Sequence, residues 1–148
     1  MKEHVSLLLL VCLVSLFILS CGCTSFGDPD ERFRNAWNQS EAELLPHITN
    51  ITRLSEEQDF EGLADEAETA IAIIDTHRAT LASIQVSESY TLEKEHYLEG
   101  LHELRSACVQ LSNIDEKSMI DQAIDLYIAQ QYLDTAVSTM NEVRSMME

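Results

Sequence analysis

The chain has 148 residues, with 9 Lys and Arg against 26 Asp and Glu, so its formal net charge is −17 at pH 7. An acidic surface of this kind repels nucleic acid and anionic lipid headgroups, which argues against a nucleic-acid partner. An excess of acid also serves solubility alone, so the charge by itself identifies no ligand.

An apolar segment without charged side chains, VSLLLLVCLVSLFILSCGC, runs from Val5 to Cys23 shortly after Lys2. This order is typical of a signal peptide. Its four residues ILSC, which end at Cys21, resemble a lipobox. The resemblance implies removal of residues 1–20 and lipid attachment at Cys21, with Cys23 as the second choice. Residues 21–27 would then be a tether and residues 28–148 an extracytoplasmic domain.

An uncleaved transmembrane helix is the main alternative for this segment. Its nineteen residues would span about 28 Å as a helix, close to the hydrocarbon thickness of a bilayer. Free secretion is a third interpretation. Because Lys2 precedes the segment and the next basic residue is Arg32, the membrane-bound forms place the domain on the extracellular side.

The first predicted helix begins at Asp28-Pro29-Asp30-Glu31, which supplies an N-cap acid, a proline at the first helical position and a glutamate at the third. Pro46 predicts a kink in this helix, or its division near Leu45. Its apolar face has helical spacing and consists of Phe33, Trp37, Leu44, Ile48, Ile51 and Leu54.

A turn and a second capping box are predicted at Ser55-Glu56-Glu57-Gln58, followed by a helix from about Gln58 to Gln85. The face of this second helix consists of Phe60, Leu63, Ala64, Ala67, Ile71, Ile74, Leu81 and Ile84. A break at Val86-Ser87-Glu88-Ser89 precedes the third helix, which residues 113–116 close. The third face consists of Tyr97, Leu101, Leu104, Cys108 and Leu111.

The fourth predicted helix extends to the end of the chain. We assign to its apolar face Ile120, Ala123, Ile124, Tyr127, Ile128, Leu133, Val137, Met140, Val143 and Met147. No segment alternates with period two, so the fold class is all-α, and short connections favour an antiparallel four-helix bundle. The same periodicity would also suit tetratricopeptide-like hairpins or a dimeric coiled assembly.

Two Glu-x-x-His pairs, Glu93 with His96 and Glu99 with His102, have the spacing that di-iron bundles use. Helical geometry places Glu99 opposite the apolar face and His102 more than a quarter turn from it, so we predict no metal site. His47 and His77 are predicted at the surface or its boundary, and Cys108 as a buried thiol. No catalytic motif is present, so we predict neither enzymatic activity nor a cofactor.

Asn38 and Asn50 begin N-glycosylation sequons, and both lie off the apolar face of the first helix, where we expect them to be exposed. The leucine-rich signal with its cysteine pair and the small acidic helical domain resemble the uncharacterised surface lipoproteins of archaea, methanogens in particular. The resemblance implies a location and a fold class but no site residue. We therefore expect a membrane-anchored interaction or binding module with a possible envelope protein partner. A binder of small ligands or metal cations is the alternative.

Overall fold

The computed structural model describes residues 28–147, which form four α-helices and one short 3₁₀ helix at Glu88–Tyr90. The α-helices are Pro29–Glu57 (α1), Phe60–Ser83 (α2), Thr91–Leu111 (α3) and Met119–Met147 (α4). This part of the chain contains no strand, and consecutive helices pack against each other. The prediction of an all-α four-helix bundle is therefore confirmed.

The predicted anchor at Val5–Cys23, with Cys21 and Cys23, lies outside the described residues, as does the tether. Between residues 28 and 147, none of the helices combines the length and the apolar character that crossing a bilayer requires.

The start of α1 agrees with the sequence prediction. The carboxylate of Asp28 accepts a hydrogen bond from the backbone N–H of Asp30 at 3.0 Å, and Pro29 occupies the first helical position. The helix then continues through Pro46 to Glu57. It is not divided near Leu45, because a proline removes only one N–H donor and packing of the remaining turns holds the helix together.

The reversal between α1 and α2 differs from the predicted capping box at residues 55–58. Gln58 adopts a left-handed conformation with φ of 57°, and its backbone N–H donates to the carbonyl oxygens of Leu54 and Ser55 in the last turn of α1. Asp59 then caps α2 by accepting a hydrogen bond from Gly62 N at 3.1 Å. The prediction was wrong because one left-handed residue reverses the chain without ending α1 early.

The apolar faces predicted for the first three helices form the core. Phe33, Leu63 and Tyr97 are wholly buried, as are most other members of these faces, and Ile48, Phe60, Ile71 and Ile84 are half-buried against them. Cys108 is also wholly buried, as predicted. Helical periodicity therefore identified the packed side of α1, α2 and α3 correctly.

The face predicted for α4 is partly wrong. Ile120, Ile124, Tyr127 and Val137 are at least half exposed, and Ala123 is exposed too. Val143 of the predicted face is buried, as expected, and Leu133, Met140 and Met147 are half-buried against the core. The other buried residues of α4 are Asp125, Ala129 and Ala136, which lie outside the predicted face.

Small residues explain which side of α4 packs on α3. A Cβ atom at Gly100 would lie 3.0 Å from Met140 Cγ and 3.6 Å from the carbonyl oxygen of Ala136, so the two backbones approach closely there. Asp125 tolerates burial on this side because Lys117 Nζ donates to its carboxylate at 2.5 Å. Close backbone approach thus outweighed the burial of larger side chains such as Ile120.

Candidate binding groove

A groove lies between α1 and α4, on the side of the bundle where the first and last helices face each other. α4 packs mainly on α3, and α1 mainly on α2, so α1 and α4 make almost no close backbone contact. α3 supplies the floor of the groove through Tyr97 and Leu111. We call this feature the α1–α4 groove.

Two hollows occupy the groove, and each is lined by α1, α3 and α4. The Tyr97 hollow has a volume of about 250 Å³ and is lined by Glu41, Leu44, Leu45, Ile48, Tyr97, Val137, Met140, Asn141 and Arg144. The Leu111 hollow has a volume of about 160 Å³ and is lined by Ile51, Thr52, Ser55, Glu56, Leu111, Leu126, Ala129, Gln130 and Leu133.

The Tyr97 side chain that lines this hollow is fixed by a hydrogen bond and by an aromatic contact. The hydroxyl of Tyr97 donates a hydrogen bond to Ser40 Oγ at 3.0 Å, and both residues are wholly buried. The Tyr97 ring meets Trp37 edge to face, with 6.2 Å between centroids and 88° between planes. Burial raises the pKa of Tyr97 well above its ordinary value, so its phenol stays protonated. Tyr97 therefore contributes an uncharged surface to the floor of the groove.

One polar link joins α1 to α4 among the described residues. Arg144 Nη2 donates to both carboxylate oxygens of Glu41, at 3.0 Å and 3.1 Å. By contrast, α1 and α2 are joined by two histidine–carboxylate contacts and by a bond from Asn50 to Glu66. The α1–α4 side therefore has fewer polar links than the α1–α2 side and almost no close backbone contact.

The walls of the groove carry more negative than positive charge. Arg144 is the only cation among the described residues that line it, and Glu41 neutralises it. Glu56 lines the Leu111 hollow and is exposed. Asp134 is exposed one position after Leu133, and its carboxylate accepts only a neutral hydrogen bond, from Gln130 at 2.7 Å. An apolar floor thus lies between walls with a negative balance.

The lining contains neither His nor Cys, so the hydroxyl groups of Thr52 and Ser55 have no lining imidazole to act as their general base. Typical small-molecule sites have volumes of about 300–1,000 Å³, which neither hollow reaches. An apolar cavity of about 150 Å³ holds one benzene molecule, the size of a phenylalanine ring. Each hollow therefore suits one or two apolar side chains of a binding partner.

The Glu-x-x-His pairs of α3 lie outside the groove. Glu99 and His102 are exposed, in agreement with their predicted positions. Glu93 and His96 are half-buried, and the buried atoms Glu93 Oε2 and His96 Nδ1 find no hydrogen-bond partner among residues 28–147. An oxygen of Glu142 lies 3.9 Å from His96 Nδ1. Within residues 28–147, no three His, Cys, Asp or Glu residues are arranged to hold a metal ion.

The surface or boundary position predicted for His77 is wrong. Its side chain is buried between α1 and α2, and its Nε2 lies 2.9 Å from Glu43 Oε2. His47 is half-buried at the same helix pair, where its Nδ1 lies 2.5 Å from Glu66 Oε1. Each imidazole therefore has a hydrogen-bond partner in a carboxylate of the facing helix, which gives both histidines a structural role.

Cys108 is placed in the core, where burial raises the pKa of its thiol to about 12. A thiol of this kind stays protonated at neutral pH and packs as a small apolar side chain.

The two sequons differ in their surroundings. Asn38 is exposed on α1. Asn50 is half-buried, and its amide nitrogen donates to Glu66 Oε2 at 2.9 Å. The exposed position predicted for Asn50 is therefore wrong, because the adjacent α2 covers it.

No family model, curated protein or solved structure matches this chain. Sequence reasoning did not find the α1–α4 groove, because it depends on which helices pack together. The one signal in the sequence was the excess of apolar residues on α4, more than one packed face requires.

Proposed function

We propose that this chain is a membrane-anchored extracytoplasmic lipoprotein whose helical domain is a non-enzymatic interaction module. The lipobox-like end of the signal segment at Cys21 supports the anchor. The open α1–α4 groove, with an apolar floor between exposed carboxylates, is the observation that supports the interaction role. In this proposal, an envelope protein places apolar side chains in the two hollows.

A binder of a small apolar solute is the second candidate, and the Tyr97 hollow favours it. Its lining is mostly apolar and its volume is about 250 Å³. That volume lies below the usual range for small-molecule sites, so a solute would fill it only if it were about the size of one or two aromatic rings. We therefore rank this candidate second.

Photo-cross-linking in native membranes tests the interaction role. A photoreactive phenylalanine analogue is introduced at Val137, which lines the groove and is 50% exposed. The matched control is Val109, which is 41% exposed on α3 and does not line either hollow. We expect a discrete protein adduct from Val137 and none from Val109. Equal adducts at both positions, or none at either, would contradict the proposal.

The intact mass of protein extracted from native membranes tests the anchor separately. We expect a mature species that begins at Cys21 and carries added lipid mass, and the Cys21→Ala variant should lose that lipid. The Cys23→Ala variant serves as the control and should keep it. A full-length mass without lipid would favour the alternative of a single-pass membrane protein with an outward-facing domain.

A further inference from the structure

We infer that the occupant of the α1–α4 groove is an amphipathic α-helix of another protein, with basic residues on both sides of its apolar face. This inference rests on the proposed function and adds the chemical class of the partner. Helices that place an apolar face in a groove are a common mode of peptide recognition.

The length of the groove fits a helix. Its lining on α1 extends from Glu41 to Glu56, which corresponds to about 22 Å along the helix axis. The Tyr97 hollow uses residues 41–48 and 137–144, and the Leu111 hollow uses residues 51–56 and 126–133. The hollow centres are therefore about 14–16 Å apart, which is about three turns of a helix. A docked helix would fill both hollows with large apolar residues at positions i and i+10 or i+11.

Exposed apolar residues of α4 extend the groove outward near the Leu111 hollow. Tyr127 is 67% exposed and lies three positions before Gln130, which lines that hollow. Ile120 is 74% exposed and lies seven positions before Tyr127. Residues at these spacings lie on one side of a helix, so Tyr127 and Ile120 provide apolar surface beside the groove. A docked helix whose apolar face extends beyond the Leu111 hollow would also cover Tyr127 and Ile120.

The charge of the walls selects a basic helix. Glu56 lines the Leu111 hollow on α1, and Asp134 is exposed on α4 next to the lining residue Leu133, whereas the cation of the lining, Arg144, is already bound to Glu41. A second copy of this chain also carries a net charge of −17, so two copies repel each other. An anionic membrane surface would be repelled for the same reason. Lysine or arginine residues that flank an apolar face would complement these walls.

Synthetic helical peptides without tryptophan test this inference on the full chain in phosphatidylcholine nanodiscs. The probe peptide carries leucines on one face, including a pair at i and i+11, and lysines elsewhere. A twin peptide has glutamates in place of the lysines. Trp37, the single tryptophan of the chain, reports binding because its ring contacts Tyr97 in the floor of the groove. Empty nanodiscs provide the correction for peptide bound to lipid.

Charge-reversed variants locate the binding. The double variant Glu56→Lys/Asp134→Lys reverses the walls. Its matched control, Glu68→Lys/Glu99→Lys, makes the same charge change at exposed positions of α2 and α3 outside the groove. We expect the lysine peptide to change Trp37 emission, with a Kd at least tenfold higher in the wall variant and within about twofold of the original in the control.

Three outcomes would overturn the inference: equal binding of the glutamate twin, equal binding by the wall variant, or no binding of the lysine peptide. The last outcome is interpreted together with the cross-linking experiment. A Val137 adduct with a partner that is neither helical nor basic leaves the proposed function standing and overturns this inference alone. Absence of both peptide binding and the adduct contradicts both.

Discussion

Arg144 and Glu41 are 103 positions apart in the chain, yet a two-bond ion pair joins them across the α1–α4 groove. The pair lies at the edge of the Tyr97 hollow, where it connects the last turns of α4 to α1. Among the described residues, no other hydrogen bond joins α1 to α4. We therefore expect this pair to limit the separation of α4 from α1.

We expect Arg144→Met to loosen α4 with little loss of global stability. Arg144 is half exposed, and exposed ion pairs contribute about 0.2–1 kcal/mol. Hydrogen exchange should become faster in the last turns of α4 and stay unchanged in α2. Arg53→Met is the control, because its pair with Glu57 lies within α1. Equal exchange in α4 of both variants would show that the Arg144 pair does not restrain that helix.

Tyr97→Phe should destabilise the domain through the buried hydroxyl of Ser40. The substitution leaves Ser40 Oγ without its donor in a site closed to water, and a loss of this kind costs about 1–3 kcal/mol. Urea unfolding of the full chain measures the effect. The double variant Tyr97→Phe/Ser40→Ala should lose less unfolding free energy than the sum of the two single losses, because it leaves neither polar partner unpaired. Strict additivity would contradict the buried bond.

Asp30 links folding to pH through the loop between α2 and α3. Its carboxylate accepts bonds from Ser87 N at 2.8 Å and from Ser87 Oγ at 2.6 Å. These bonds lower the pKa of Asp30 from its ordinary value of 3.8. A lowered pKa in the folded state stabilises the protein above the unfolded pKa, and this stabilisation disappears as the pH falls through the folded pKa.

Asp30→Asn should therefore lower the urea midpoint at about pH 7, and its effect should shrink below pH 3.8 as the pH falls toward the lowered pKa of the native carboxylate. Glu31→Gln is the control, since Glu31 is exposed in the same turn and makes no hydrogen bond among the described residues. A Glu31→Gln effect with the same size and pH dependence would point to general charge repulsion instead of the Ser87 bonds.

The two sequons should behave differently in protein isolated from its native host. We expect intact-mass analysis to show glycan mass that Asn38→Gln removes and that Asn50→Gln leaves in place. The amide nitrogen of Asn50 is bound to Glu66, so Asn50→Gln should instead lower stability by about 0.5–1.5 kcal/mol. Glycan lost from the Asn50 variant alone would contradict this assignment.

Local sequence patterns determined much of the bundle. The proline and acid at residues 28–31 start α1, and periodic apolar residues identify the packed sides of α1, α2 and α3. These features depend on contacts within a few residues, so they are visible in one dimension. The turn at Gln58 was missed because a left-handed residue other than glycine has a weak sequence signature.

Only the tertiary structure determined which side of α4 packs on α3 and that the α1–α4 groove stays open beside it. Apolar residues occur on every side of α4, so periodicity alone did not select its packed face. Close approach to Gly100 buried Ala136 and left Ile120 and Tyr127 exposed. The same docking brought Arg144 to Glu41 and formed the α1–α4 groove. These outcomes arise from shape complementarity between distant segments, which the order of residues along one helix does not encode.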